Sequence, residues 1–376
     1  MTFKRILILL SLLSPPTLAD NLPNDDLPTV KLMSCEGQCA NFVPAKPISI
    51  EPPQFPHDQV GWTRIYSEAN LNVLYTIGPD GKVRDDILVL SLIGPREFAD
   101  ATIEKIKKWT FEPATSDGKP VAQSRTFRMN YIRDPRQDGL IPRGRVLEVT
   151  QGWNGYTKAM EQGKTDEARA SLENVLKNVG LQFADRTGVT AALADLAYKR
   201  GDYLEARRLA WDATTTAVKT NSIKEQVVVA RKAPTDVLKN AWQNRFKADL
   251  ALHDISDALN SLEQLQQILG ASDSSLQGIV EKLRAGADAE PVLSTQAQIP
   301  QVEDGDVYVF LPYRRSFTFQ KVQGALQKFV LACKQATMES DISPTAQWRI
   351  PNKWDGCSVY VRGTPGTKFV VMQPKE

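Results

Sequence analysis

Between Leu71 and Ile132 the hydrophobic period changes from two to about 3.6 and back, and that order leaves few folds open. Leu71, Val73, Tyr75 and Ile77 alternate, which sets them on one face of a strand. Pro79-Asp80-Gly81 follows. Proline fixes φ and glycine accepts a positive φ, so the chain turns back here. Val83, Ile87 and Val89 continue on the returning strand, while Leu88, Leu90 and Leu92 fill its other face. A strand apolar on both sides is covered on both sides. Phe98, Ala101, Ile103, Ile106 and Trp109 then recur at helical spacing. Gly118-Lys119-Pro120 introduces a last strand, Val121 to Ile132. The stretch reads as a β-β-α-β unit in which Trp109 and Phe111 pack the core.

The same stretch carries a specific phrase. Gly78-Pro79-Asp80-Gly81-Lys82-Val83 comes first, then Lys108-Trp109-Thr110-Phe111-Glu112-Pro113-Ala114, then Asp117-Gly118-Lys119-Pro120-Val121. In this order it resembles the C-terminal domain of TonB-type energy transducers, over residues 55–134. The resemblance implies a small mixed fold that binds other proteins by strand pairing. In those transducers the domain grips a short extended segment of an outer-membrane receptor, and a membrane helix at the other end couples it to an inner-membrane motor. Two features depart from a full transducer. No apolar run reaches the ~20 residues a spanning helix needs. The segment ahead of the domain is also short, where the family has a long Pro/Lys/Glu-rich arm. The stretch Gly61 to Asn70 fits the family pattern poorly. The last strand has two readings. Val121, Gln123, Arg125, Phe127, Met129 and Tyr131 lie on a polar, basic strand that is either an ordinary edge protected by charge or a docking edge. In the second case a partner adds a strand through main-chain hydrogen bonds.

The N-terminus reads as a cleaved secretory signal over residues 1–19. Lys4 and Arg5 are basic, Ile6 to Leu13 is a short apolar core, Pro15 and Pro16 break it, and Thr17-Leu18-Ala19 suits cleavage. Lys and Arg exceed Asp and Glu by 46 to 44, and Lys4 and Arg5 account for the excess. That balance points to neither nucleic acid nor an anionic membrane as the main partner. In an exported chain the four cysteines, Cys35, Cys39, Cys333 and Cys357, read as disulfides. Proximity favours Cys35–Cys39 and Cys333–Cys357, and three pairings are open. A bridge from Cys333 to Cys357 would contribute about 3 kcal/mol. Leu32-Met33-Ser34-Cys35 looks superficially like an acylation site, but the polar run Asp20 to Asp26 precedes it.

Residues 20–55 are a lead with seven prolines between Pro23 and Pro56 and no expected regular structure. The TonB-like domain occupies 56–134, and 135–150 is a linker. Residues 151–290 are helical and contain an echo. Gly163-Lys164-Thr165-Asp166-Glu167-Ala168 matches Gly201-Asp202-Tyr203-Leu204-Glu205-Ala206, resembling tetratricopeptide-type helix–turn–helix units. Asp257-Ala258, Leu262 and Leu265 form a weaker third match at longer spacing; a plain antiparallel bundle is the alternative. Residues 290–302 read as a second linker. Residues 303–376 read as a mostly β, disulfide-linked module. Within it, Ser358 to Val361 and Phe369 to Met372 flank Gly363-Thr364-Pro365-Gly366 as a hairpin. Val322, Ala325, Leu326, Phe329 and Val330 also fit a helix. Trp348 and Trp354 are expected to pack around the bridge.

Little in the chain supports catalysis. It has two histidines, His57 and His253, neither at ligand spacing to a cysteine, and G-x-S-x-G, P-loop and dinucleotide fingerprints are absent. No metal or cofactor is expected. The fold class read from sequence is a multidomain α+β chain: a β-β-α-β domain, an all-α repeat region and a mostly β module. The function read is a non-catalytic periplasmic adaptor that pairs with an extended periplasmic or outer-membrane protein segment. A TonB-like energy transducer is the alternative, and an enzyme acting on cell-wall glycans a distant third.

Overall fold

The computed structural model describes residues 29–32, 41–54, 68–131, 143–177, 181–216, 234–269, 274–301, 305–334, 337–352 and 354–375. The leader, Cys35, Cys39 and His57 lie outside these residues.

The β-β-α-β order forms as the periodicity predicts, although the helix ends at Ile106, short of Trp109, and the returning strand begins at Leu88, beyond Val83 and Ile87. Strands β4 (Ala69–Ile77), β5 (Leu88–Ile93) and β9 (Gln123–Tyr131) make one antiparallel sheet in the order β5-β4-β9. Helix α1 (Arg96–Ile106) packs on one face, where Leu71, Val73, Tyr75, Val89, Ile106, Trp109 and Phe111 are buried together. The Pro79-Asp80-Gly81 turn closes as Gly81 takes φ 77°, and a Cβ there would meet the Phe111 carbonyl. The pairing of β4 with β5 shifts between Asn72 and Val73, so Leu90 bulges and Leu92 joins Val89 on the helix face. Leu74, Leu88 and Leu90 point the other way and pack against Val307, Val330 and Tyr360 of the C-terminal module. The doubly apolar β5 is thus covered on both sides.

Two stretches expected to lack structure instead form strands. In the proline-rich lead, β2 (Phe42–Val43) pairs with β7 (Ala114–Ser116), and β3 (Lys46–Ser49) pairs with β6 (Thr110–Glu112). Pro47 is tolerated because these are short edge strands that need few donors. Further upstream, β1 (Thr29–Leu32) runs parallel to β15 (Ala346–Arg349). The supposed linker 290–302 contains β10 (Val292–Gln298), which pairs with β17 (Lys368–Pro374) over seven positions. Its buried face is Leu293, Thr295 and Ala297. Two of those three are too weakly apolar to register as a strand signal.

The C-terminal module is a β-sandwich. Its remaining strands are β11 (Val307–Phe310), β12 (Ser316–Gln323), β13 (Leu326–Ala332), β14 (Thr337–Asp341) and β16 (Ser358–Gly363). One sheet runs β1-β15-β12-β17-β10 and the other β11-β16-β13-β14. Val322 therefore lies on β12 and Leu326, Phe329 and Val330 on β13, with Gly324 and Ala325 between the two strands and no helix. The expected hairpin of β16 and β17 does not form, because the two strands lie in different sheets. Gly363 to Gly366 is an arch between layers; Thr364 donates to the Ala325 carbonyl at 2.9 Å. Between the layers Phe317, Phe319, Phe329 and Trp348 interlock, with Phe329 and Trp348 centroids 5.1 Å apart. Trp354, Cys333 and Cys357 close the same core, and the Cys333–Cys357 bridge is present.

The middle of the chain is helical: α2 (Arg143–Glu161), α3 (Thr165–Leu176), α4 (Phe183–Lys199), α5 (Tyr203–Thr216), α6 (Thr235–Ala251), α7 (Ile255–Leu269) and α8 (Ser274–Ala289). Three hairpins share one turn. Gly163, Gly201 and His253 all take positive φ (71°, 81° and 59°). The following amides of Lys164, Asp202 and Asp254 return to the carbonyls of Ala159, Ala197 and Asp249 at 2.9, 3.1 and 2.8 Å. Ala168, Ala206 and Ala258 are buried at equivalent places in the second helices. The third unit is therefore built like the first two, with histidine where they have glycine.

Candidate functional site

Strand β9 owes its position to its inward side chains. It pairs with β4 over nine positions, from Gln123 opposite Ile77 to Tyr131 opposite Ala69. Phe127 meets Trp109 edge to face at 5.0 Å. Tyr131 is buried against Phe98, and its hydroxyl lies 2.7 Å from that of Thr102; burial raises its pKa. Met129 packs on the same cluster. Gln123 accepts from the Ala45 amide at 2.9 Å, and Arg125 donates to the Ala45 carbonyl while lying 6.0 Å over Phe111. Of the six residues singled out from sequence, five thus share one face of β9 and anchor it to the domain core and the lead. Val121 stands apart on β8 (Lys119–Val121), paired with Ala114.

The outward backbone groups of the edge come from the other register. Ser124 directs its amide away from β4, to the Thr337 hydroxyl at 3.0 Å. In an antiparallel ladder outward groups recur at every second residue, so Thr126, Arg128 and Asn130 face out beyond it. Among the described residues no strand pairs along this margin. Thr126 is exposed and Arg128 half-buried. The Arg128 guanidinium donates to the Thr215 carbonyl at the end of α5, at 3.2 Å, and burial lowers its pKa. The Asn130 side chain is held by Asn70. The opposite margin of the sheet is capped at Val89. Asp306 brackets Val89, accepting from its amide at 2.9 Å and donating to its carbonyl at 2.7 Å. At the Ser124 end a cleft of 90 Å³ lies between the two modules, lined by Thr76, Arg84, Ser124, Lys328, Thr337 and Arg362 among others.

Sequence reasoning took the odd-numbered residues because they carry the apolar signal of the strand. The outward positions Thr126, Arg128 and Asn130 were legible only as the polar alternates of the same pattern. Among the described residues no group of three or more His, Cys, Asp or Glu could hold a metal ion. His253 serves the α6–α7 turn.

Residues 64–132 match the family described as Gram-negative bacterial TonB protein C-terminal. That segment is a TonB C-terminal domain match. Protein TonB of Pseudomonas aeruginosa is 38% identical over 81 residues, which make up 22% of this chain and 22% of that protein. The chain thus matches about a fifth of the length of this curated relative. The solution NMR structure of the P. aeruginosa TonB C-terminal domain aligns at 27% identity, covering 28% of this chain and 94% of that one, with a TM-score of 0.20. The first tetratricopeptide repeat domain of Spaghetti (RPAP3), bound to an HSP90 peptide, aligns at 14% identity over 39% of this chain and 96% of that one, with a TM-score of 0.27. Within the TonB-like segment, β4, β5, α1 and β9 account for about half of the matched residues.

Proposed function

We propose that this chain is a non-catalytic adaptor of the periplasm that pairs an extended segment of another envelope protein with the outer edge of β9. The observation that carries the reading is the asymmetry of the sheet. The short β5 margin is capped at Val89 by two hydrogen bonds to Asp306, whereas the longer β9 turns alternate backbone groups outward with, among the described residues, a single hydroxyl cap at Ser124. Strand addition to such an edge supplies affinity through main-chain hydrogen bonds and specificity through alternate side chains. The TonB C-terminal match supports the same mode of recognition.

The test uses Thr126→Pro. This substitution removes an outward donor and leaves inward pairing to β4 intact, since proline suits an edge position whose amide faces out. A photo-crosslinking residue at Asn130 should capture one discrete partner segment in the intact envelope, and Thr126→Pro should abolish the capture without shifting the far-UV melt. Capture that survives the proline would overturn the reading. The TonB relative favours a second reading, energy transduction, in which the same edge is linked to an anchor. Among the described residues no helix is long and apolar enough to cross a membrane. N-terminal sequencing of the protein recovered from envelopes separates the two: a terminus at Asp20 supports the adaptor, and a retained Met1 supports the transducer.

A further inference from the structure

We infer that the segment docked on β9 carries a carboxylate side chain directly opposite Arg128. The inference rests on the strand-addition reading and adds the chemistry of the partner. Arg128 is the central one of the three outward positions left beyond the Thr337 cap. Its guanidinium is partly desolvated, and its hydrogen bond goes to a neutral group, the Thr215 carbonyl at 3.2 Å. No carboxylate of the described residues forms an ion pair with it. Arg125 and Arg314 also donate only to neutral oxygens, but each is held by more than one of them, whereas Arg128 has, among the described residues, the Thr215 carbonyl alone. Three further guanidiniums pair with carboxylates. Arg186 grips Asp212 at 2.7 Å, Arg207 meets Asp254 at 3.0 Å, and Arg245 lies between Asp249 and Asp257.

A cation taken out of water without a counter-charge is costly. The carbonyl end of α5 offers only part of a negative charge. An incoming strand would bury Arg128 further. A neutral segment would deepen the cost, whereas an acidic residue at the facing position would turn it into attraction. Side chains directly opposite across a strand pair share one face, so the acid stands on the face turned away from α1. Its neighbours two residues to either side meet Thr126 and Asn130 and are polar. The partner motif is therefore a short extended run with an acidic residue flanked at alternate positions by polar ones. The run is short because Thr337 already occupies the Ser124 amide.

A displayed random heptapeptide library, selected on the purified full chain, tests this. Selection on the wild type should enrich Asp or Glu at one fixed position of alternating sequences. Arg128→Lys should keep that preference, Arg128→Gln should erase it, and Arg128→Glu should replace it with Lys or Arg. A recovered peptide should bind the wild type about tenfold more tightly with Glu than with Gln at that position, and Arg128→Gln should remove the difference. Recovery of alternating peptides without an acidic bias, lost on Thr126→Pro, would overturn the assignment to Arg128 and leave docking on β9 standing. Failure to enrich any peptide, or enrichment indifferent to Thr126→Pro, would overturn the docking reading itself.

Discussion

Asp249, a residue the sequence gives no reason to notice, stands at the centre of a buried ionic cluster. It occupies the place held by Ala159 and Ala197 in the first two units. Around it lie Asp254, Asp257, Arg207, Arg245 and Ser261, with Tyr308 of β11 under the Arg207 guanidinium at 5.1 Å. The Arg245 guanidinium lies over the rings of Trp211 and Trp242, at 4.3 and 5.1 Å. Three carboxylates thus face two guanidiniums, and a proton is the natural third cation. Burial, and next the Asp257 charge, hold Asp249 well above the usual carboxylate range. The same two causes push Asp254 up to about 6 against the pull of Arg207. A carboxyl raised in the folded state favours folding at low pH, and that benefit disappears as pH climbs through the folded value. For Asp254 the window runs from about 4 to about 6, and the loss is at most about 3 kcal/mol. The urea midpoint of the wild type should therefore fall as pH rises from 4 to 7. Asp249→Asn leaves two carboxylates for two guanidiniums, so it should cost under about 1 kcal/mol at neutral pH and make the slope shallower. Arg207→Met strands a buried charge and should cost about 3–5 kcal/mol. An unchanged slope in Asp249→Asn would show that no proton resides there.

Helices and strands were legible to the extent that their signals are local. The α2–α3 and α4–α5 hairpins announced themselves through Gly163 and Gly201, since glycine enters positive φ at little cost. The third hairpin was obscured by a longer spacing and by His253 at the glycine position. A side chain there costs about 1–2 kcal/mol, partly offset by its lower unfolded-state entropy. His253→Gly should accordingly stabilise the chain by about 0.5–1 kcal/mol, read as a higher thermal midpoint; a lower midpoint would mean that the imidazole makes a contact worth more than the strain. Non-local pairing was what the sequence hid. Nothing in Gly363-Thr364-Pro365-Gly366 distinguishes a hairpin turn from an arch between sheets, because the choice depends on β10 and β12 claiming β17 first. Proline in the lead suppressed the strand signal of β3, although Pro47 sits on an edge. The proposed docking edge was half legible for a related reason: strand period two gave both faces, but only the fold revealed which register points outward. The Cys333–Cys357 bridge, 24 residues apart, ties β13 to β16, which also pair directly. Replacing both cysteines by alanine should lower stability by about 2–4 kcal/mol and leave the strand content of the circular dichroism spectrum in place.

At the scale of the whole molecule the modules inferred from sequence are stacked layers. Helix α1, the β5-β4-β9 sheet and the two sheets of the sandwich follow one another. The apolar residues at the second junction are Leu74, Leu88 and Leu90 from one side and Val307, Val330 and Tyr360 from the other. Asp306 adds two hydrogen bonds to Val89 and an ion pair to Arg96 at 3.6 Å. The helical region joins both neighbours, through Arg207 on Tyr308 and through the Glu68 carboxylate at the Phe183 amide, 2.6 Å away. This arrangement makes the sandwich part of the sheet's second hydrophobic face, so the TonB-like domain borrows stability from residues more than 200 positions downstream. Burial of each leucine is worth roughly 1.5–3 kcal/mol, enough to couple the two unfolding transitions. Calorimetry of the full chain should therefore show the β-β-α-β domain and the sandwich melting in one peak. Leu90→Asp places an unpaired carboxylate at the junction and should split that peak, with the β-β-α-β domain melting first because the sandwich keeps its own aromatic core. Two peaks already in the wild type would show that the layers touch without stabilising each other, and β9 would then be presented by an autonomous domain.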